Sequence, residues 1–334
     1  MWRKILPLTL GMAAFLWLLW PSEQSPGPLP QAIEVEDFNE YYQAYCVKVI
    51  QDSSLYLEEW DTLPQPNFWR HTIRYGPDTV IVNIAKTRQI IGYTDLRSWR
   101  AKSDGQKQAY EDSVRQEYGL GRKDEIFFTT GRSHFYNFEY ILPDLDESIE
   151  VFLENNTDPW YAQAILLIES PGRLQYSTDG AYGSFQLMES VAREMGLKIN
   201  AQVDERTDLR KSAKAAARLL RTVCLPQARS ICYRHRLDFD ERDLWFRLLV
   251  MHVYHAGATN VKRVMNKVRP QESGIQLFEE LWQTKSRRFG NASQNYSQII
   301  LACWMELDKM LETKGLLCPP EEEEEASEET VIGP

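Results

Sequence analysis

The sequence predicts a mainly α protein, with a helical domain over residues 139–317 and a mixed α+β region before it, over residues 34–138. Three observations carry this. From about residue 139 onward, apolar residues recur at helical spacing, and the stretches open at capping Asp or Asn residues. Two runs rich in β-branched and aromatic residues, Thr79–Ile84 and Glu125–Thr130, fall before that point. The length of 334 residues is enough for one large or two moderate domains with a real core.

Arg3 and Lys4 precede an apolar run from Ile5 to Trp20, and a Ser/Pro/Gly-rich stretch follows from Pro21 to Pro30. This reads as a signal anchor over residues 1–20 and a linker over residues 21–33. No small-residue cleavage site stands at the end of the run, and no Cys offers a lipid attachment point. The expectation is an uncleaved anchor on the inner membrane, with the body in the periplasm. The alternative is a cleaved signal peptide and a secreted chain. Arg3 and Lys4 keep the N-terminus inside under the positive-inside rule.

In residues 34–138 the pattern predicts a helix near Phe38–Val49 and a strand at Thr79–Ile84. A polar helix follows from Asp104 to Tyr118, stopped by Gly119 and Gly121, then a strand at Glu125–Thr130 closed by Gly131. Two arrangements fit this region: a separate domain, or a wrap around the helical one.

In the helical domain Asp158-Pro159 is a start signal, with Asp as cap and Pro in the first turn. Tyr161, Ala164, Ile165 and Ile168 then lead to Glu169. Asp208 can cap an Ala-rich helix over 209–222. Asp240 or Asp243 opens a helix through Leu244, Phe246, Leu248 and Val253 to Gly257. Asn260 can cap Val261–Val268, and Gln298–Leu311 is a final amphipathic helix. Residues 318–334 read as a disordered acidic tail.

The net charge of -10 is uneven. Seven Glu residues, at 321–325, 328 and 329, lie in the tail, so the rest is nearly neutral. That excludes a nucleic-acid binder, which needs a basic face. Five cysteines are present, and Cys224 and Cys232 flank a short loop. They read equally as a disulfide of an exported protein or as two core thiols. His235, His252 and His255 lack a zinc spacing, so neither metal nor cofactor is expected. His252 and His255 are read as core and cleft residues.

The chemistry centres on Glu169. An apolar helix ends at this carboxylate, and a small-residue segment follows, Ser177 to Met188, with Gly180, Ala181, Tyr182, Gly183 and Gln186 in it. An acid held in an apolar wall has its pKa raised by desolvation and stays protonated near neutral pH. That is what a general acid for glycosidic cleavage requires.

This segment resembles the lytic transglycosylase pattern of Glu-Ser, a spacer, Ser, Gly-Ala, then Gly and Gln. Three more blocks fit in order: Ala192–Leu197, Asp204–Asp208 leading into Ala213–Leu220, and Val253–Gly257 followed by Asn260-Val261. The resemblance covers roughly residues 140 to 270 and is nearest to the membrane-bound lytic murein transglycosylase D group. Three features depart from the pattern. The spacer before Ser177 is one residue short, Ser184 replaces Leu, and His255 replaces Asn.

The resemblance implies a lysozyme-like catalytic domain of the goose-type and lytic transglycosylase kind, acting on peptidoglycan glycan strands. Glu169 would act as acid and then as base, closing a 1,6-anhydro ring on N-acetylmuramic acid. Tyr254 would assist the acid. Ser177, Gly180, Ala181, Tyr182, Gly183, Gln186 and His255 would contact substrate. Ser177 and Gln186 also suit plain turn or helix-start capping. Tyr182, Phe185 and Tyr233 fit sugar stacking or core packing alike, and Asp204, Arg206 and Asp208 read as structural. Two other functions fit the sequence. One is a goose-type lysozyme in which Asp179, Asp204 or Asp208 positions water; the other is a non-catalytic glycan-binding scaffold of the envelope.

Overall fold

The computed structural model describes residues 32–38, 44–169, 177 and 180–314. It opens with an antiparallel hairpin of β1 (Ala32–Phe38) and β2 (Ala44–Ile50). Helices α1 (Ser54–Leu57) and α2 (Pro64–Arg74) follow. Then come β3 (Thr79–Ile84), β4 (Ile90–Asp95), α3 (Leu96–Ala101), α4 (Asp104–Glu117) and β5 (Ile126–Thr130). These last three strands form an antiparallel sheet in the order β4-β3-β5.

The helical part runs through α5 (Leu142–Glu154), α6 (Trp160–Glu169), α7 (Glu189–Glu194), α8 (Leu209–Leu219), α9 (Leu225–His235) and α10 (Leu244–Ala256). It ends with α11 (Ala258–Val268), α12 (Ile275–Gln283) and α13 (Asn291–Lys314). The fold is mainly α, with an N-terminal α+β region. A π-helical stretch, Leu220–Cys224, joins α8 to α9.

Several predicted elements are present. β3 and β5 lie on the predicted runs. The Ser103 hydroxyl and the Gln106 side chain form a reciprocal cap that opens α4, and Gly119 at φ +63 follows its end. Asp158 accepts from the Trp160 N–H, and Asp208 from the Lys211 N–H.

Others differ. The predicted helix near Phe38–Val49 is the β1–β2 hairpin, because Val47 and Val49 alternate inward while Lys48 between them faces Asp146 and Glu150. That is period two, which a helix cannot satisfy. Asn260 does not cap α11. The helix starts at Ala258 after Gly257, and the Asn260 amide instead donates to the Ala256 carbonyl. Cys224 and Cys232 are free buried thiols, whereas Cys46 is disulfide-bonded. Residues 1–20 and the acidic tail lie outside the described residues. Among the described residues no helix is long and apolar enough to cross a membrane.

One hydrophobic core unites both regions. Val35, Val47, Trp60, Phe68 and Ile73 of the first region belong to the same buried cluster as α5, α6, α10 and α13. The Gln163 side chain on α6 closes two hydrogen bonds with the Ile50 backbone at the end of β2, at 2.7 and 2.8 Å. Arg247 on α10 bridges Asp52 and Asp158, and the Trp160 indole N–H donates to Asp52. Such a buried ion network costs several kcal/mol if one partner is lost, typically about 3–5. A smaller satellite cluster of Val82, Val114 and Ile126 sits between the three-stranded sheet and α4.

Candidate active site

The site is built on α6. Trp160 through Leu167 are all buried, so the helix is enclosed on every side, apolar except for Gln163, and runs through the middle of the core. Glu169 is its last residue and the first to carry charge. It is half-buried by area but closely surrounded, and desolvation pushes its pKa up to about 7. The Tyr296 hydroxyl faces it from α13 and favours the charged form, which offsets part of that rise. That hydroxyl falls short of a hydrogen bond of ordinary geometry, so burial dominates.

Three phenols feel the charge on Glu169: Tyr136, Tyr254 and Tyr296. Burial is the main cause that raises the pKa of each, and the carboxylate adds to it. All three therefore stay protonated and are available as donors. The Tyr254 hydroxyl, however, donates to the Phe185 carbonyl at 2.6 Å. Its hydrogen bond holds the neighbouring loop, not the carboxylate as the sequence led us to expect. His255 stacks on Tyr296, with centroids 4.1 Å apart at 21°. Its edge is exposed, yet desolvation in the cleft lowers its pKa. The ring is thus neutral at neutral pH. His252 lies inside the core against the Ser297 hydroxyl.

The loop after Glu169 is described at Ser177 and from Gly180 on. Ser177 is a turn residue here: its N–H donates to the Ala181 carbonyl, and its hydroxyl accepts from the Ala181 N–H. Tyr182 and Leu187 exchange both backbone hydrogen bonds at 3.2 Å and so close a tight loop. Within it Gly183 has φ +81, and a Cβ there would lie 2.0 Å from the Arg206 carbonyl. Only glycine fits this approach. Gln186 also takes a positive φ of 45, and its side chain donates to the Gly183 carbonyl at 3.0 Å. It lies in the loop, before α7, and does not open that helix. Phe185 is fully buried and stacks on Phe152.

Arg206 braces the loop. It pairs with Asp204 and donates to the Gly180 and Leu187 carbonyls at 3.1 and 3.0 Å. Its guanidinium also lies 5.4 Å from the centre of the Tyr182 ring. Asp204, Arg206 and Asp208 are therefore structural, as the sequence suggested. Tyr233 is exposed and packs edge-on against Phe239.

Residues 148–276 match the family model of the Transglycosylase SLT domain. No curated protein and no solved structure matches the chain significantly. The SLT match supports a lytic transglycosylase-like domain acting on peptidoglycan, and it takes in Glu169, the loop and Tyr254. It leaves out Tyr136 and Tyr296, which the sequence reading also missed. Tyr136 lies before the motif blocks and Tyr296 well after them, so spacing could not associate either with the acid. Tyr296 falls two residues before the predicted helix Gln298–Leu311 and inside the longer α13 of the structure, where a phenol is usually core.

Among the described residues no three His, Cys, Asp or Glu side chains converge as a metal site requires. What the site offers is one acid with a raised pKa, phenols around it and a neutral imidazole beside it.

Proposed function

We propose that the chain cleaves the β-1,4 bond between N-acetylmuramic acid and N-acetylglucosamine in peptidoglycan without adding water. The observation that carries this reading is the Glu169 carboxyl, held protonated by burial up to about pH 7 at the end of an apolar helix. Glu169 gives its proton to the glycosidic oxygen as the C1–O bond breaks. The substrate's acetamido oxygen stabilises the charge at C1. The carboxylate then takes the proton of the sugar's own 6-hydroxyl, and the O6–C1 bond closes the 1,6-anhydro ring. Glu169 ends protonated, ready for another turnover.

The hydrolase reading needs a second carboxylate to position water. Asp204 is paired with Arg206, which lowers its pKa, and Asp208 caps α8. Asp179 lies outside the described residues. Both described candidates are committed elsewhere, which favours the anhydro route. Digestion of purified sacculi, with the products analysed by mass, decides the matter. Anhydro-muramic ends, one water lighter than reducing ends, are expected. Reducing ends would mean a lysozyme, and binding without products a scaffold.

We further propose that the chain works from the inner membrane with its body in the periplasm, like the membrane-bound murein transglycosylase D group. The charged start and apolar run of residues 1–20 support this. Fractionation should recover full-length protein in membranes. A shortened soluble chain would mean a cleaved signal.

A further inference from the structure

Away from Glu169, a cavity of about 230 Å³ opens between the β3–β4–β5 sheet and α13. Its chemistry is one-sided. Arg88 lies on its wall, in the turn between β3 and β4, and is 6 % exposed. The residue adopts φ +61, a conformation that costs a side-chain-bearing residue roughly 1–2 kcal/mol. The turn thus holds a strained backbone that places a cation inside the protein. Phe68, Trp69 and Phe127 surround its guanidinium, with ring centres 5.1 to 5.7 Å away.

Among the described residues Arg88 has no acid partner. Its hydrogen bonds go to the neutral oxygens of Asn83, Asn291 and Asn295, at 3.1 to 3.3 Å. A buried cation held only by amides carries uncompensated charge. Lys86, Lys123 and Lys285 border the same cavity, are exposed, and form no ion pair among the described residues. Two acids also border it. Asp124 accepts the Gly121 N–H, and Glu125 stands exposed. The balance remains positive.

The amides are oriented too. Arginine only donates, so Asn291 and Asn295 must turn their oxygens to Arg88 and leave their NH₂ groups as donors. Gln294 is the opposite case. Its NH₂ donates to the Trp282 carbonyl, which leaves its oxygen as an acceptor. The cavity therefore offers cations, amide donors and an amide acceptor beside the Phe127 and Trp282 rings. A free phosphate would use the donors and could meet the acceptor only through a P–OH, whereas a peptide brings a backbone N–H to it. A peptide with a free carboxylate uses both. The volume is below the roughly 300–1,000 Å³ of drug-sized pockets, so the ligand is one or two residues long.

We propose that this cavity binds the free carboxylate end of a short peptide, of the kind that hangs from peptidoglycan strands. It rests on the reaction proposed above only for the source of that peptide. Asn295 is the neighbour of Tyr296 on α13, so the same helix carries a wall of this cavity and a phenol of the acid site.

The test is calorimetry on the full chain carrying Glu169→Gln, with the dipeptide L-alanyl-D-glutamate, its diamide and inorganic phosphate as probes. The dipeptide should bind, its affinity should fall with added salt, and the diamide should bind about tenfold more weakly or not at all. Joint replacement of Lys86, Lys123 and Lys285 by Ala, all exposed and safe for folding, should weaken binding about fivefold or more. Arg88→Lys, which keeps the charge but loses the fork, should also weaken it. Equal binding of diacid and diamide overturns the proposal. So does phosphate binding as tightly as the dipeptide, or binding unmoved by the lysine replacements. Lytic activity of the unmutated chain on sacculi is measured separately. Binding without lysis removes the proposed reaction alone, and lysis without binding removes the cavity alone.

Discussion

Tyr296 lies face to face with His255, and its hydroxyl is aimed at the Glu169 carboxylate. The stack fixes the phenol ring, so the hydroxyl has one direction in which to donate. In the resting site it is too loose for an ordinary hydrogen bond. It would tighten when Glu169 has given up its proton and carries charge, the moment at which a donor helps most.

Tyr296→Phe should therefore act on the carboxylate's proton affinity. The phenol lowers the Glu169 pKa, so its removal raises it. The alkaline limb of the pH–rate profile should move up, and the rate at the optimum should fall by roughly tenfold or more, the scale of one hydrogen bond to a charged group. An unmoved alkaline limb would make Tyr296 a packing residue only.

Glu169→Gln separates catalysis from stability. Activity should fall at least about a hundredfold, because the amide cannot donate a proton to the leaving oxygen. Stability should change in the opposite direction. The folded pKa is raised, from 4.5 to about 7, so folding binds a proton between those values. The contribution of the native carboxyl is full below pH 4.5 and is lost as pH rises through about 7. Above that pH a buried charge must be carried, and Gln removes it. The variant should gain about 2 kcal/mol at pH 8 and nothing at pH 4, after allowance for the open face of the residue. Paired denaturant melts at the two pH values check this; equal shifts at both would mean that Glu169 is not desolvated.

The acid was legible in the sequence because its cause is local. An apolar helix that ends at one carboxylate shows in ten consecutive residues, whereas the close approach of Gly183 to the Arg206 carbonyl does not. The surroundings were not legible, for the reverse reason. Tyr136 and Tyr296 reach Glu169 only through tertiary packing, from 33 residues before it and 127 after. The β1–β2 hairpin was misread as a helix because its period-two register is set by packing on α5, which local sequence does not show. Tyr254 is near enough to feel the Glu169 charge, but no pattern in the sequence shows which acceptor its hydroxyl will choose.

Tyr254→Phe tests that choice. Its hydroxyl satisfies the Phe185 carbonyl, and Phe185 anchors the loop in the core. Loss of the donor leaves a buried acceptor unpaired, at about 1–3 kcal/mol. The variant should melt earlier, and its activity should fall mainly through KM as the loop loosens. A stable variant with a normal KM and a depressed rate would instead place the hydroxyl on Glu169 during the reaction.

Arg206→Ala should be the most damaging change outside Glu169, although it touches no reacting atom. The side chain is 3 % exposed and joins three separate segments. It neutralises Asp204, takes the Gly180 carbonyl on one side of the loop, and takes the Leu187 carbonyl on the other. Removal leaves Asp204 without the partner that lowers its pKa. The Gly180 carbonyl also loses this donor, and the Leu187 carbonyl is left with the Tyr182 N–H. Breaking a buried pair from one side costs about 3–5 kcal/mol. Arg206→Lys keeps the charge but cannot serve Asp204 and both carbonyls at once. It should recover part of the stability while the loop stays loose. Melts of both variants, with amide exchange followed at Tyr182 and Leu187, check the order. Those two amides close the loop, so they should exchange faster in both variants. Protection equal to the unmutated chain in Arg206→Lys would show that charge alone holds the loop.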